Sequence, residues 1–272
     1  MNVLSTFNGF GCLWIAMEQA GIKVDKRYIS EIDKYANKVN KYLYPDSIQL
    51  GDVTKVDGYK LPKIDLLTAG SPCQGFSLAG NQLNFSDPRS RLFFEFVRLR
   101  DELKPKYWIF ENVKMKQEIA DAISGYLGVQ GIFINSLTVS GQDRKRWYWT
   151  NIPGIKQPKN EGILLKDVIE SGQVDREKSL CVMARVNGAT AKRYLTKSMH
   201  QMVFDEGKWR KLTVRECARL QTVPEDIIDK MINSGVSASQ LYKMIGNGWT
   251  VKVITHLLKA MQKDIENKKS GI

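Results

Sequence analysis

At 272 residues, with 43% hydrophobic and 10% aromatic content, the chain is long enough for one large domain, or one domain with a small appendage, around a real core. Forty-one Lys and Arg against 29 Asp and Glu leave a formal charge of +12, which favours a polyanionic partner, although a solvated basic surface gives the same balance. Four scattered cysteines (Cys12, Cys73, Cys181, Cys217), two histidines (His200, His256) and no apolar run of membrane-spanning length weigh against a disulfide framework, a metal site and a membrane partner.

In chain order, short β-rich runs alternate with helical patterns. Strands are predicted over residues 3–7, 27–31 and 64–69, with helices over 13–20 and 34–43 between them. The alternation continues with a helix over 92–103, a strand over 107–111, a helix over 117–126, and strands over 133–139 and 147–152. Such a sequence predicts an α/β fold with a doubly wound, mostly parallel sheet. Beyond Pro153 the texture changes. Residues 156–211 are basic and broken by short polar stretches, and read as a small insertion between a first segment, 1–155, and a returning one, 212–272. A helix is predicted over 213–221, with Thr213 as N-cap and Glu216 three residues on, then a last helix over 250–266 and a frayed tail. The opening residues carry no basic and apolar leader pattern, so reduced thiols and a cytoplasmic location are expected, or a nuclear one in a nucleated source.

Several motifs fall where a parallel sheet offers a ligand edge. Phe7-Asn8-Gly9-Phe10-Gly11 lies between the first strand and the first helix, as either a plain tight turn or a ligand loop. Glu31, followed by Ile32, ends the second strand, and Asp52-Val53 follows the third; each acid is a turn or cap residue, or a ligand for ribose hydroxyls and an adenine amine. Ser71-Pro72-Cys73-Gln74-Gly75-Phe76-Ser77 follows the apolar strand 64–69. A lone cysteine is usually a small buried hydrophobe, the reading given to Cys12, Cys181 and Cys217. Cys73 instead sits on a Pro-rigidified turn at the ligand edge, where a thiol meets substrate. Glu111, in Glu111-Asn112-Val113, ends a buried strand in apolar surroundings, as a proton donor or as a cap or core carboxylate. Gln142-Asp143-Arg144-Lys145-Arg146 leads into an alternating strand, where residues two apart share a face. Arg144 and Arg146 would then act as paired donors, unless they form a solvated basic edge.

Together these motifs resemble the C5-cytosine DNA methyltransferase family. Its Pro-Cys-Gln, Glu-Asn-Val and Gln-x-Arg-x-Arg signatures stand in order, followed by Leu212 to Gln221 and by Gly246-Asn247-Gly248. The stretch from Ser90 to Phe96 and the compact region after Pro153 look most like the animal de novo branch and small phage or bacterial relatives. The resemblance implies a class I, Rossmann-like catalytic domain that uses S-adenosylmethionine on double-stranded DNA. It implies that Cys73 attacks C6 of a flipped cytosine, that Glu111 acts at N3, and that Arg146 holds O2 with Arg144 assisting.

For the cofactor, the resemblance implies contacts from Phe7, Asn8, Gly9 and Gly11, from Glu31 and Ile32 at the ribose, and from Asp52 and Val53 at the adenine. Pro72, Leu92, Asn247 and Trp249 would lie toward the methionine end. Trp249 departs from the smaller residue that many relatives carry. On the substrate side the implied residues are Gln74, Ser77 and Gln142, with Arg185, Lys192 and Arg193 (and Lys197) in a target recognition region over 156–211. Three alternatives stay open: a tRNA methyltransferase, whose Cys-Phe-Thr signature Cys181-Val182-Met183 does not match; a silent regulatory homologue; and the same chemistry with a modified donor. Help from a second copy or another protein fits so short a recognition region.

Overall fold

The computed structural model describes residues 1–72, 91–184, 190–197 and 199–270. The first half alternates as expected: β1 (Asn2–Thr6), α1 (Cys12–Gln19), β2 (Lys26–Ser30), α2 (Lys34–Leu43), β3 (Ile48–Gln49), β4 (Leu66–Ala69), α3 (Arg91–Leu103), β5 (Tyr107–Val113), α4 (Gln117–Leu127), β6 (Ile132–Asn135) and β7 (Lys145–Thr150). There follow α5 (Ala191–Lys197), the hairpin strands β8 (Met202–Asp205) and β9 (Lys208–Lys211), and the helices α6 (Val214–Leu220), α7 (Glu225–Asn233), α8 (Ala238–Asn247) and α9 (Val251–Ser270).

Seven strands form one sheet in the order β3-β2-β1-β4-β5-β7-β6. All neighbouring pairs are parallel except those made by β7, which runs antiparallel to both β5 and β6. The chain works outward from β1 to β3 and then returns to β4 on the other side of β1. The carboxyl ends of β1 and β4 therefore flank a topological switch point, where a crevice opens.

Alternate residues along the strands serve two apolar layers. Val3, Ile29, Leu66, Ile109 and Tyr148 face one, which includes the buried residues of α1 and α9. Leu4, Tyr28, Leu67, Trp108, Phe110 and Trp149 face the other, filled by Phe93, Phe96 and Leu99 of α3 and Ile123 of α4. Phe110 meets Phe93 and Phe96 at ring separations of 5.2 and 5.1 Å. The first layer also takes in Leu165, Val168, Val182 and Val203, so residues 156–211 contribute to the same core.

The second half departs from expectation in three places. Helices α7 and α8 fill the interval before the last helix, and the strand predicted over 133–139 stops at Asn135 and passes into a 3-10 turn, Ser136–Thr138. The tail expected to fray from residue 267 instead continues α9 to Ser270. Lys268 pairs with Asp264 one turn back at 2.6 Å, and the basic last turn suits the helix dipole. Among the described residues no helix is long and apolar enough to cross a membrane.

The N-terminus of α6 forms as the sequence predicts. Thr213 accepts from the Glu216 N–H at 3.1 Å, and the Glu216 carboxylate accepts from the Thr213 N–H at 2.8 Å. Glu216 is fully buried and also receives the Arg210 guanidinium at 2.8 Å. Thr213→Ala is expected to lower the unfolding free energy by about 1 kcal/mol, and Thr213→Ser to restore most of it, in chemical denaturation.

Candidate active site

The crevice at the switch point is a cleft of about 600 Å³, walled by the carboxyl ends of β1, β2, β4 and β5 and closed by the end of α8 with the turn into α9. Its first wall is the loop after β1. Phe7 adopts a left-handed φ of 53° and donates its N–H to the Ser30 carbonyl at 2.8 Å. Gly11 has a φ of 98°, and a Cβ there would lie 2.8 Å from Trp14 Cδ1, so both conformation and packing call for glycine. Asn8 lines the cleft and is buried, and its Oδ1 has no hydrogen-bond partner among the described residues.

Glu31 is tethered rather than loose. One carboxylate oxygen accepts from the Gly9 N–H at 2.8 Å, the other from the N–H groups of Ile32 and Asp33, each at 2.9 Å. Beside it the Ile32 side chain is 77% exposed, an unusual cost for an apolar group unless something planar covers it. Asp52 caps the short turn Val53–Lys55. The Thr54 N–H and hydroxyl hold its carboxyl below the usual carboxylate range. Val53, Pro72, Leu92 and Asn247 also line the cleft. Asp33 was not anticipated. It caps α2 and reaches Lys243 of α8 at 2.7 Å across the cleft margin. Burial opposes its charged form, but Lys243 and the α2 backbone hold its carboxyl below the ordinary range.

On the second wall, Glu111 is 8% exposed and has one ion-pair partner and one hydrogen-bond donor. Arg146 Nε lies 3.0 Å from Oε1, and the Trp249 indole N–H donates to Oε2 at 3.0 Å. The antiparallel register pairs Val113 with Arg146 and Glu111 with Tyr148, so the acid and the arginine are diagonal neighbours on adjacent strands. The expectation of a carboxyl in apolar surroundings is thus corrected: the group sits in an ion pair with an indole on its other side. Asn112, buried beside it, donates to the Ser71 carbonyl and hydroxyl at 3.4 Å each, tying the end of β5 to the residues that precede Cys73.

Two further expectations are corrected. Arg144 precedes β7, so the two-residue alternation does not carry it onto the face of Arg146. It is 2% exposed and donates to the carbonyls of Val182, Gly246 and Gly248 at 3.0, 3.1 and 2.7 Å, and to the Cys181 sulfur at 3.2 Å. Burial, and then the charge of Arg146, pull its pKa below the ordinary arginine value. Gln142 is equally internal. It donates to the Leu220 carbonyl and the Gln221 side chain, and accepts from the Val182 N–H. Both residues hold chain segments together: the Gln142 amide group is spent on Leu220 and Gln221, and both terminal nitrogens of Arg144, which also lines the cleft, are spent on Cys181, Val182, Gly246 and Gly248. At Gly246 a Cβ would collide with the backbone of Met183 and Ala184, which pack directly on the end of α8.

Cys73, Gln74, Ser77 and Arg185 lie outside the described residues. Lys192 and Arg193 are exposed on α5, away from the cleft lining, on a helix anchored by Tyr194 against Trp209 of β9 at a ring separation of 5.3 Å. Cys12 does line the cleft, but burial pushes its thiol up to about 12, and burial does the same to Cys217.

A model of the C-5 cytosine-specific DNA methylase family matches residues 1–120 and 139–263. The chain belongs to this family. It is 43% identical over 116 residues to the orphan methyltransferase M.SPRI of Bacillus phage SPR, an alignment covering 42% of this chain and 26% of the phage protein. The chain thus spans about a quarter of the length of the phage relatives that it matches. The type II methyltransferase M1.ScrFI of Lactococcus lactis subsp. cremoris is 29% identical over 98% of this chain and 79% of its own length. The crystal structure of the Schizosaccharomyces pombe (S. pombe) Dnmt2 methyltransferase shares the fold, with a TM-score of 0.70 at 20% identity over 97% of this chain and 99% of that one. The expected likeness to phage and bacterial members and the Rossmann-like fold are both borne out.

Two outcomes follow for this family member. Arg144→Met strips a charged donor from four buried acceptors and is expected to destabilise the fold by about 3 kcal/mol, read by urea denaturation, while Arg146→Met costs much less. In the native protein at neutral pH, iodoacetamide should leave Cys12 and Cys217 unmodified over minutes and label both once denaturant is added, as mapped by peptide mass spectrometry.

Proposed function

We propose that the chain is a DNA (cytosine-5)-methyltransferase that moves a methyl group from S-adenosylmethionine to C5 of a cytosine turned out of duplex DNA, through a covalent bond from Cys73. The observation that carries this reading is the Glu111–Arg146 pair at the wall of a cleft whose opposite wall presents a backbone-tethered carboxylate, Glu31. The cleft suits the cofactor. Asn8 Oδ1 is a buried acceptor in need of a donor, Glu31 keeps one lone pair, on the oxygen that accepts from Gly9, for a ribose hydroxyl, and Ile32 offers an apolar face for a purine. When bound, S-adenosylmethionine supplies an electrophilic methyl group on a sulfonium.

The chain's residues do the rest. The Cys73 thiolate bonds to C6, and the ring's electron pair shifts toward C5 and N3. Glu111, once it has taken up a proton from solvent as the base enters and Arg146 turns to O2, delivers that proton to N3 so that negative charge does not accumulate in the ring. C5, now nucleophilic, accepts the methyl group; a solvent water or hydroxide then takes the C5 proton, the released electron pair restores the C5–C6 double bond and expels Cys73 as thiolate, and N3 returns its proton to Glu111. The base has to leave the duplex because stacking hides both faces of its ring. Residues 1–155 and 212–272 would form the catalytic part and 156–211 the target recognition part, with Arg185, Lys192 and Arg193 facing DNA. The net charge of +12 supports a polyanionic substrate.

The test is incubation of the purified protein with unmethylated plasmid and S-adenosylmethionine, followed by nucleoside mass spectrometry. The expected result is 5-methylcytosine with the natural protein, none with Cys73→Ser, and a rate lowered about 100-fold or more with Glu111→Gln. Failure of the natural protein to modify plasmid DNA, with modification of tRNA instead, would overturn the choice of substrate.

A further inference from the structure

We propose that Trp249 is a positioning residue for Glu111, holding the carboxyl plane in the orientation from which it acts on the base. The proposal rests on the role given to Glu111 above.

A glutamate carboxyl rotates easily about its last bond, because that torsion is broad and roughly two-fold. One donor on one oxygen leaves this freedom largely intact. Glu111 instead has a partner on each oxygen: an ion pair from Arg146 Nε to Oε1 and a directional hydrogen bond from the Trp249 indole N–H to Oε2, each at 3.0 Å. The two come from separate parts of the chain, β7 and the turn between α8 and α9, so together they fix the plane of the group.

Two independent features show that the indole is delivered to this place. The first is Gly70, at the end of β4. A Cβ there would lie 2.7 Å from Trp249 Nε1 and 3.2 Å from Glu111 Oε2, so the absence of a side chain opens the gap through which the hydrogen bond passes. The second is the backbone on either side of the indole. The Gly248 carbonyl accepts from Arg144 at 2.7 Å and from Gln221 at 3.2 Å, and the Trp249 carbonyl accepts from the Cys12 thiol at 3.5 Å.

A buried indole N–H needs some partner, and a purely packing role for Trp249 would satisfy that need with Glu111 as a bystander. The two roles separate in Trp249→Phe, which keeps an aromatic ring and removes the N–H donor together with the five-membered part of the indole. Four proteins are compared: the natural chain, Trp249→Phe, Gly70→Ala and Glu111→Gln. Each is assayed for S-adenosylhomocysteine affinity by calorimetry, for single-turnover methylation of plasmid DNA, and for the pH profile of that rate.

Trp249→Phe is expected to keep its affinity for S-adenosylhomocysteine within about two-fold while its rate at the pH optimum falls about ten-fold, the order set by one hydrogen bond to a charged group. The shape of the pH profile should also differ from that of the natural protein, which a role in packing alone would leave unmoved. Gly70→Ala, which leaves the indole present but displaced, should reproduce the rate loss and serves if Trp249→Phe does not fold. The proposal is overturned if rate and profile match the natural protein in both variants, or if rate falls only in proportion to S-adenosylhomocysteine affinity with an unmoved profile. Full activity in Glu111→Gln would instead remove the role of Glu111 itself, a separate failure.

Discussion

The Arg144 guanidinium, withdrawn almost wholly from water, ties together three lengths of chain that sequence keeps far apart. Its donors reach Val182 on one side and Gly246 and Gly248 on the other, from a position just ahead of β7. A buried cation without partners would be prohibitively costly, so these carbonyls are held as firmly as they hold it. Gln142 and Gln221 extend the same knot. Gln221 donates to the carbonyls of Ile245 and Gly248 and accepts from Thr250, whose hydroxyl in turn accepts from Ser136. The cleft wall formed by the end of α8, and with it the indole of Trp249, stands where this network puts it.

Seen from the knot, the two walls of the cleft are made by different means. The Glu31 wall is local: a turn after β1 and a turn after β2, stitched by backbone N–H groups within one half of the sheet. The Glu111 wall is assembled from β4, β5, β7 and the last two helices, with Glu111 and Trp249 meeting across a separation of 138 residues. Local walls form early and tolerate variation in the rest of the chain, whereas assembled walls exist only when the whole fold is in place.

That contrast also explains what could be read from the sequence. Strands of the parallel sheet are covered on both faces and read as apolar runs between turn signals, so β1, β2, β4 and β5 were legible, as was the capping box at Thr213. The ligand-edge residues Phe7, Glu31, Asp52 and Glu111 followed from strand ends alone. The β8–β9 hairpin was hidden because its second strand is mostly half-exposed and carries no clean alternation, and α8 because its closing glycines draw the eye to a motif instead of a helix end. Arg144 was misread for a plain geometric reason: a period of two holds only inside a strand, and β7 begins one residue later. No local pattern marks Lys243 or the partner of the Trp249 indole, since each is defined by a contact with a distant segment.

The close approach at Gly246 has a bearing on how members of such a family diversify. With Met183 and Ala184 lying directly against the end of α8, and Val182 bonded to both Arg144 and Gln142, the stretch 156–211 is not a detachable cassette hung from the catalytic sheet. Lys192 and Arg193 stand exposed on its surface, but its inner margin at residues 181–184 is part of the frame that sets the cleft. Grafting a foreign segment would therefore have its natural seams outside that margin, leaving a short inherited hinge point between what is exchanged and what must stay the same.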